Sequence, residues 1–258
     1  MPPVPKPPSE SKRNRTLVIA IAVAIAIAGA LVAGSYLTRD KGDDAPVAET
    51  TATETETETT ATETTGTTSP ALAAVAGIPQ NGTVLGNPEA TVRLLQFEDI
   101  QCPICKKYTD NAFPAIVDEY VKPGLIQIDF RGLAFLGPDS EKALRIAVAA
   151  GFQDKLWEVV GLFYENQGEE NSGWVTDALV DEILADVPGL DAAKARADAK
   201  SAAVTKEIAA VQAEATTLKV PGTPWFYIAI GLNPPYEIQP TALEPSAFRP
   251  ALDDALKG

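Results

Sequence analysis

The hydrophobic pattern begins with an uninterrupted apolar run near the start of the chain. Residues 17–37 carry no charge, and as a helix they would span the roughly 30 Å hydrocarbon core of a bilayer. Residues 1–16 before the run are rich in proline and basic residues, so the positive-inside rule predicts a cytoplasmic tail. The pattern predicts a single transmembrane helix at 17–37, with a cleaved signal peptide as the alternative.

Residues 38–76 have a different composition. The centre of this segment alternates Thr and Glu without any large apolar residue. A segment of this kind cannot bury enough apolar surface to offset the entropy lost on ordering. We expect 38–76 to be a disordered linker that lets the following domain reach away from the membrane.

Residues 77–258 show the periodicities of an α/β domain. Short apolar-rich runs predict strands, and apolar residues spaced i, i+3 and i+4 predict helices. The predicted order is a strand at 91–97, a helix from Cys102 that Pro114 should bend, a strand at 125–130, a helical insertion at about 138–218, strands at 225–230 and 236–238, and a helix at 245–256. The first strand, helix and strand form a βαβ unit, which is right-handed by default.

Composition then narrows the chemistry. The 258 residues include no histidine and only two cysteines. Hydrolytic triads that need an imidazole, histidine metal sites and four-cysteine metal centres are therefore excluded within one chain. The formal charge of −14 argues against nucleic acid as a partner, because that binding depends on Lys and Arg. We expect no metal and no cofactor, and we look for the chemistry in the two cysteines.

Cys102 and Cys105 stand where the first strand ends and its helix begins. Free N–H groups and the helix dipole at that point lower the pKa of a thiol, and Pro103 suits the first helical position. Cys105 lies one turn further on, within reach of a mixed disulfide on Cys102. This spacing predicts a redox pair with Cys102 as nucleophile and Cys105 as resolving thiol. A structural disulfide, a metal pair and buried free thiols are the alternatives.

Three segments together resemble the DsbA-like thiol-disulfide oxidoreductases of the thioredoxin superfamily. They are LGNPEATVRLL at 85–95, FEDIQCPICKKY at 97–108 and VPGTPWF at 220–226. The resemblance extends over nearly all of 77–258 and implies a thioredoxin fold with an inserted helical subdomain. It also implies a cis bond between Thr223 and Pro224, in a loop that faces the cysteines and binds an extended substrate strand. An ordinary turn is the alternative for that loop.

The sequence departs from this family beside the cysteine pair. Ile104 stands where the best-studied oxidases have a histidine that helps to stabilise the thiolate, so Cys102 should be less acidic than in those members. Gln96 stands where many relatives have a glutamate thought to relay protons to the resolving thiol. Asp99 matches a common family aspartate, and Glu98 lies next to it. The candidate modulators of the pair are Gln96, Glu98, Asp99, Pro103 and Ile104.

These features lead to one hypothesis and two alternatives. The chain is expected to be an exported protein disulfide oxidase in the cell membrane, with a single pass, a cytoplasmic N-terminus and an extracytoplasmic catalytic domain. Its partners would be cysteine-containing secreted or envelope polypeptides and, as the resemblance implies, a membrane quinone-linked thiol oxidase. A reductase or isomerase using the same pair is one alternative. A non-catalytic thioredoxin-like binding module is the other.

Overall fold

A computed structural model of the chain describes residues 69–257. The predicted basic tail, the predicted transmembrane helix and residues 38–68 of the predicted linker lie outside the described residues. Within residues 69–257, no helix combines the length and the apolar character needed to cross a bilayer.

The described residues form an α/β fold with one mixed sheet. The strands are β1 (Gln80–Asn81), β2 (Val84–Leu85), β3 (Val92–Glu98), β4 (Ile126–Gly132), β5 (Trp225–Ile230) and β6 (Tyr236–Ile238). Their order in the sheet is β1-β2-β4-β3-β5-β6, and only β3 and β4 run parallel. These two central strands are buried on both faces, as strands covered by helices on both sides must be.

Helices cover the sheet and form the insertion. They are α1 (Pro70–Val75), α2 (Pro103–Asn111), α3 (Phe113–Ile116), α4 (Pro138–Gly151), α5 (Leu156–Glu165), α6 (Asp177–Asp186), α7 (Ala192–Asp198), α8 (Ala202–Leu218) and α9 (Pro245–Ala255). The five helices α4 to α8 lie between β4 and β5, which confirms the predicted helical insertion. Each of the helices α6, α7 and α8 has an N-cap side chain that accepts a hydrogen bond from a backbone N–H group of the first turn. These N-cap residues are Thr176, Asp191 and Ser201.

The helical connection between β3 and β4 is interrupted as the sequence predicts. The helix that starts after Cys102 ends at Asn111, and Pro114 lies in the first turn of α3. Proline has no N–H group and cannot continue the ladder of hydrogen bonds in a helix interior. A π-helical turn at Val117–Val121 then leads towards β4.

Two clusters of buried side chains lie on opposite faces of the sheet. Successive strand residues point to opposite faces, so Leu95 and Phe97 pack towards α8, while Leu94 packs in the larger core with α2, α5 and α9. In that larger core the ring of Tyr108 lies 4.8 Å from Phe226 and 5.4 Å from Phe248, measured between centroids. These aromatic contacts hold α2, and with it the cysteine pair, against the sheet.

The end of the predicted linker is folded, so its boundary at residue 76 is wrong. The helix α1 packs along α5 and buries Val75. The Glu165 carboxylate accepts hydrogen bonds from the Ser69 hydroxyl and the Ala71 N–H, each at 2.7 Å. Gly161 has no side chain where α5 meets Ala71. A six-residue helix is too short to be stable alone, so its formation depends on α5. Its local signal is limited to the start, where Ser69 caps the helix and Pro70 is the first helical residue.

The hairpin of β1 and β2 was not predicted from the sequence. Each strand has two residues, which is too short to show an alternating pattern. Gly82, in the turn between them, has a φ of +59°, a conformation that glycine adopts without strain. The hairpin extends the sheet at the free edge of β4.

Candidate redox site

The two cysteines lie at the junction of β3 and α2, as predicted. Cys102 is the N-cap residue of α2, and its N–H group donates a 2.9 Å hydrogen bond to the Asp99 carbonyl. Pro103 is the first residue of the helix, and Ile104 next to it is 50% exposed. Both cysteines are free thiols and both are buried, Cys105 completely and Cys102 with 6% of its surface exposed. The geometry therefore presents Cys102 at the surface and Cys105 beneath it.

The surroundings of Cys102 favour its thiolate. A hydrogen bond from the Cys105 thiol is the largest effect that lowers the pKa of Cys102, to about 6. The backbone N–H groups of Cys105 and Ile104 and the Thr223 hydroxyl act in the same direction, while burial opposes them. Backbone donors at the start of a helix are free to bind an anion because no preceding turn uses them. Activation of Cys102 thus needs no imidazole.

Cys105 has the opposite electrostatics. Burial is the main cause that raises its pKa well above the ordinary value, followed by its hydrogen bond to Cys102 and by the negative charge of Glu98. Removing a thiolate from water disfavours the charged form. Cys105 consequently keeps its proton under conditions where Cys102 loses its own.

The loop at Thr223 and Pro224 lies against Cys102. The bond between these two residues is cis, as the family resemblance implied. The Cys102 thiol, when protonated, donates to the Thr223 carbonyl over an Sγ to O distance of 3.4 Å. The backbone of Thr223 is therefore next to the reactive sulfur, at the start of the edge that leads into β5.

Glu98 is a buried carboxyl group beneath the cysteines. The Tyr164 hydroxyl donates a 2.7 Å hydrogen bond to its Oε2 atom. Burial raises the pKa of Glu98 to about 8, against the lowering effect of Tyr164, and the charge of Cys102 contributes further to the rise. Within residues 69–257, no Lys or Arg forms a salt bridge with Glu98. At neutral pH this side chain is mostly a neutral acid that can give up or take up a proton.

Asp99, the adjacent acid, is fully bonded. Its carboxylate accepts hydrogen bonds from the Gln101, Phe135 and Leu136 N–H groups and from the Ser140 hydroxyl, at 2.6 to 3.1 Å. Four donors satisfy a buried carboxylate and leave little room for another partner. The side chain fastens the turn before Cys102 to the start of α4.

Gln96 is also buried, but neither atom of its amide group has a hydrogen-bond partner among the described residues. The side chain cannot titrate, so it cannot carry a proton. It lies on the same face of β3 as Glu98, two residues away. The buried acid on this face of β3 is therefore Glu98. It lies two residues after Gln96, the position at which the family resemblance implied a glutamate.

The residues that support the site from the helical insertion were not predicted from the sequence. Tyr164 in α5 bonds to Glu98, and Gln167 donates to the Ile100 carbonyl at 2.6 Å. The side chain of Gln101 donates to Ser140 and accepts from the N–H group of Asn171. The one signal in the sequence was Tyr164, which places a hydroxyl group next to apolar positions of a predicted helix. Within residues 69–257, no three acidic or cysteine side chains are grouped to hold a metal ion.

Comparison with known proteins decides the family. The sequence model of the family described as Thioredoxin matches residues 79–230, more than half of the chain. The chain belongs to the thioredoxin family. Its match includes the cysteine pair, the helical insertion and the Thr223–Pro224 loop.

Relatives of this thioredoxin-family chain include proteins named for disulfide bond formation. It is 28% identical over 164 residues to "Probable disulfide bond formation protein D" of Bacillus cereus, covering 62% of this chain and 76% of the relative. It is 29% identical over 118 residues to "Disulfide bond formation protein D" of Bacillus subtilis, covering 43% of this chain and 51% of the relative.

The fold comparison gives the same result. The oxidised crystal structure of BdbD from Bacillus subtilis superposes with a TM-score of 0.60 at 20% identity, covering 70% of this chain and 98% of BdbD. α-DsbA1 of Wolbachia pipientis gives 0.57 at 18% identity, covering 72% and 96%. These likenesses establish a DsbA-like fold with a helical insertion. Together with the paired thiols and the named relatives, they identify this thioredoxin-family chain as a protein disulfide oxidoreductase.

Proposed function

We propose that this chain is an exported protein disulfide oxidase that uses Cys102 and Cys105 as its redox pair. The observation that carries the proposal is the contrast between the two thiols, with a lowered pKa at Cys102 and a raised pKa at Cys105. Stabilising the thiolate of Cys102 stabilises the reduced enzyme. A stabilised reduced form makes the disulfide form a stronger oxidant. Electrons therefore flow from the client to the enzyme.

The reaction proceeds through two exchanges. A client thiolate attacks the Sγ atom of Cys102 in the disulfide form, which makes a client-to-Cys102 disulfide and releases Cys105. A second client thiolate then attacks the client sulfur of that mixed disulfide, forms the client disulfide and releases Cys102 as a thiolate. The client loses two electrons and two protons, and the cysteine pair takes up both electrons. The lowered pKa of Cys102 makes it the better leaving group in the second exchange.

Glu98 is proposed to handle the proton of Cys105. When Cys105 is released as a thiolate, it is buried, and a negative charge on Glu98 would destabilise this thiolate further. With a pKa of about 8, Glu98 holds a proton at neutral pH that can neutralise this thiolate.

Asp99, Pro103 and Ile104 are proposed to have structural and binding roles. Asp99 fixes the turn, Pro103 begins the helix and Ile104 offers an exposed apolar contact to a client.

Thr223 and Pro224 are proposed to position the client. The Thr223 carbonyl lies within 3.4 Å of Cys102 Sγ, and backbone groups beside a strand start can pair with an extended peptide. Pairing of this kind depends on the peptide backbone and not on its side chains. The same enzyme could therefore oxidise many unrelated polypeptides.

The remaining parts of the proposal concern location and turnover. We propose that residues 17–37 anchor the chain in the cell membrane, with the described domain outside. A membrane quinone-linked thiol oxidase would then reoxidise the cysteine pair after each cycle. The apolar run itself supports the anchor, and the names of the Bacillus relatives support the oxidising direction.

The reduction potential tests this function. Equilibrating the full chain with glutathione buffers should give a potential more oxidising than roughly −230 mV, between the values of thioredoxin and DsbA. A potential near roughly −270 mV would identify a reductant and contradict the proposal. The Cys102→Ser variant provides the baseline, because it cannot form the disulfide. A wild-type protein that fails to oxidise a reduced client peptide, just as the variant fails, would favour the binding module.

A further inference from the structure

A cavity of about 180 Å³ is lined by residues of α1, α2, α3 and α5 and by Glu98 of β3. Apolar side chains form most of its wall, including Ala74 and Val75 of α1, Phe113 of α3, and Trp157 and Val160 of α5. The rings of Phe113 and Trp157 stack at 5.5 Å between centroids. At one wall of the cavity α1 and α5 approach closely through small residues, Ala71 and Gly161.

The polar groups at the inner end of the cavity are the Glu98 carboxyl group and the Tyr164 hydroxyl. Both side chains are buried, and Tyr164 supplies the one hydrogen bond that the carboxyl group receives from residues 69–257. The outer wall includes two further acids, Asp110 and Glu165. Asp110 pairs with Lys106, and Glu165 binds the start of α1. The cavity thus combines apolar walls with an acid end that no cation of the described chain occupies.

Size and charge define what would fit. A dry cavity of roughly 150 Å³ with aliphatic and aromatic walls is large enough for benzene, so this one has room for a ring and a short polar substituent. A buried carboxylate is stabilised best by a charged hydrogen-bond donor. We propose that the cavity binds a small primary amine with a compact apolar body, with its ammonium group on Glu98 and its ring against Trp157.

Binding of such a ligand should depend on pH. The titratable groups around Glu98 are Tyr164 from α5 and Cys102, Cys105 and Tyr108 from the start and middle of α2, and the charge interactions of Glu98 with each of them are repulsive when both are ionised. None of them can supply a positive charge to Glu98. Because the pKa of Glu98 lies at about 8, its carboxylate becomes available to a cation as pH rises through that value.

The test is a calorimetric titration of the full-length oxidised protein with benzylamine. The oxidised protein is chosen because neither cysteine then titrates. Affinity should be roughly tenfold weaker at about pH 6 than at about pH 8.5, where most of the carboxylate is ionised. Benzyl alcohol, a neutral probe of similar shape, should bind more weakly than benzylamine at the higher pH. Equal affinity of the two probes, or no saturable heat with benzylamine, would overturn the proposal.

Two variants assign the binding to this cavity. Glu98→Gln should remove the pH dependence and weaken benzylamine roughly tenfold, as loss of a buried charged pair does. Ala74→Leu should fill the cavity and abolish binding of both probes. Ala73→Leu is its matched control, because Ala73 is the neighbouring residue of α1 and is exposed, and it should leave the affinity unchanged.

Unchanged affinity in Ala74→Leu would mean that benzylamine binds elsewhere and would contradict the assignment, even if Glu98→Gln did not fold. The readout is binding and does not require disulfide exchange. Failure of the proposed oxidase function would therefore leave this result intact, and failure of this binding would leave the redox test intact.

Discussion

The two ends of the redox site shift the pKa of a thiol in opposite directions. We call the end at Cys102 the mouth and the buried end at Cys105 and Glu98 the floor. At the mouth, hydrogen bonds from Cys105, from backbone N–H groups and from Thr223 lower the pKa of Cys102 to about 6. On the floor, burial and the nearby Glu98 raise the pKa of Cys105. Only two residues, Pro103 and Ile104, lie between the two cysteines. The difference shows how a chain without histidine can activate one cysteine. The Cys105 thiol and free helix donors stabilise the Cys102 thiolate, while exclusion of water keeps Cys105 protonated.

The largest expected effect comes from removing one thiol at a time. Cys102→Ser should reduce oxidation of a reduced client peptide to background, because Cys105 alone cannot form the disulfide that accepts the client's two electrons. In Cys105→Ser, the Cys102 thiolate should attack the disulfide of an oxidised client, break that bond, release one client sulfur as a thiolate and accumulate as a mixed disulfide with the other. Mass spectrometry of the trapped species distinguishes the two variants. Trapping through Cys105 in the Cys102→Ser variant would reverse our assignment of mouth and floor.

The aromatic core beneath α2 should contribute more to the free energy of unfolding than an exposed aromatic side chain does. Phe248 is fully buried, and its ring lies 5.0 Å from that of Phe226 beneath α2. Phe248→Ala should lower the free energy of unfolding by about 3–5 kcal/mol, the usual range for truncating a core aromatic residue. Phe152→Ala, at a site 44% exposed, is the control and should change it by less than about 0.5 kcal/mol. Urea unfolding of both variants provides the comparison, and equal losses would contradict it.

Ionisation of the floor should destabilise the protein as pH rises. The folded pKa of Glu98 is raised from 4.5 to about 8, so its contribution is complete below about pH 4.5 and is lost as pH rises through about 8. Glu98→Gln should remove this decline, making the variant up to a few kcal/mol more stable relative to wild type at about pH 9 than at about pH 5. Urea unfolding of the oxidised protein at both values measures it. A parallel pH dependence in wild type and variant would show that Glu98 ionises normally.

The smallest expected effect concerns the two buried glutamines. Gln96 has no partner for its amide group among the described residues, whereas Gln101 bonds to Ser140 and Asn171. Gln96→Met should stabilise the fold by about 1 kcal/mol, and Gln101→Met should destabilise it by about 1–3 kcal/mol, because only the second change leaves buried groups unsatisfied. Thermal unfolding of the two variants tests the difference in sign. A loss of stability in Gln96→Met would indicate that its amide group has a partner.

Much of this fold follows from local sequence patterns. The apolar run at 91–97, the strand at 225–230 and the helical spacing between 138 and 218 gave elements close to those observed. Pro114 marked the break in the helix after the cysteines. These signals are local because they come from the period of apolar positions and from a missing N–H group. The Thr223–Pro224 bond was expected from the family resemblance, and the structure confirms that it is cis.

The features that escaped prediction depend on distant parts of the chain. The helix α1 is stable through Glu165 and Gly161, which lie about ninety residues away. Glu98 and Asp99 are neighbours in sequence, yet one lines an apolar cavity and the other accepts four hydrogen bonds. Adjacent residues at a strand end point to different surroundings, and those surroundings come from α4 and α5. No local pattern distinguishes the two acids.

The most direct test of the central claim is the pKa of the Cys102 thiol in the reduced protein. The rate of alkylation by iodoacetamide, followed against pH for the residue identified by mass spectrometry, reports the fraction of thiolate. The predicted midpoint is about 6. A midpoint near roughly 8.5, the value of an unperturbed cysteine, would contradict activation of Cys102 by the Cys105 thiol, by the helix start and by Thr223.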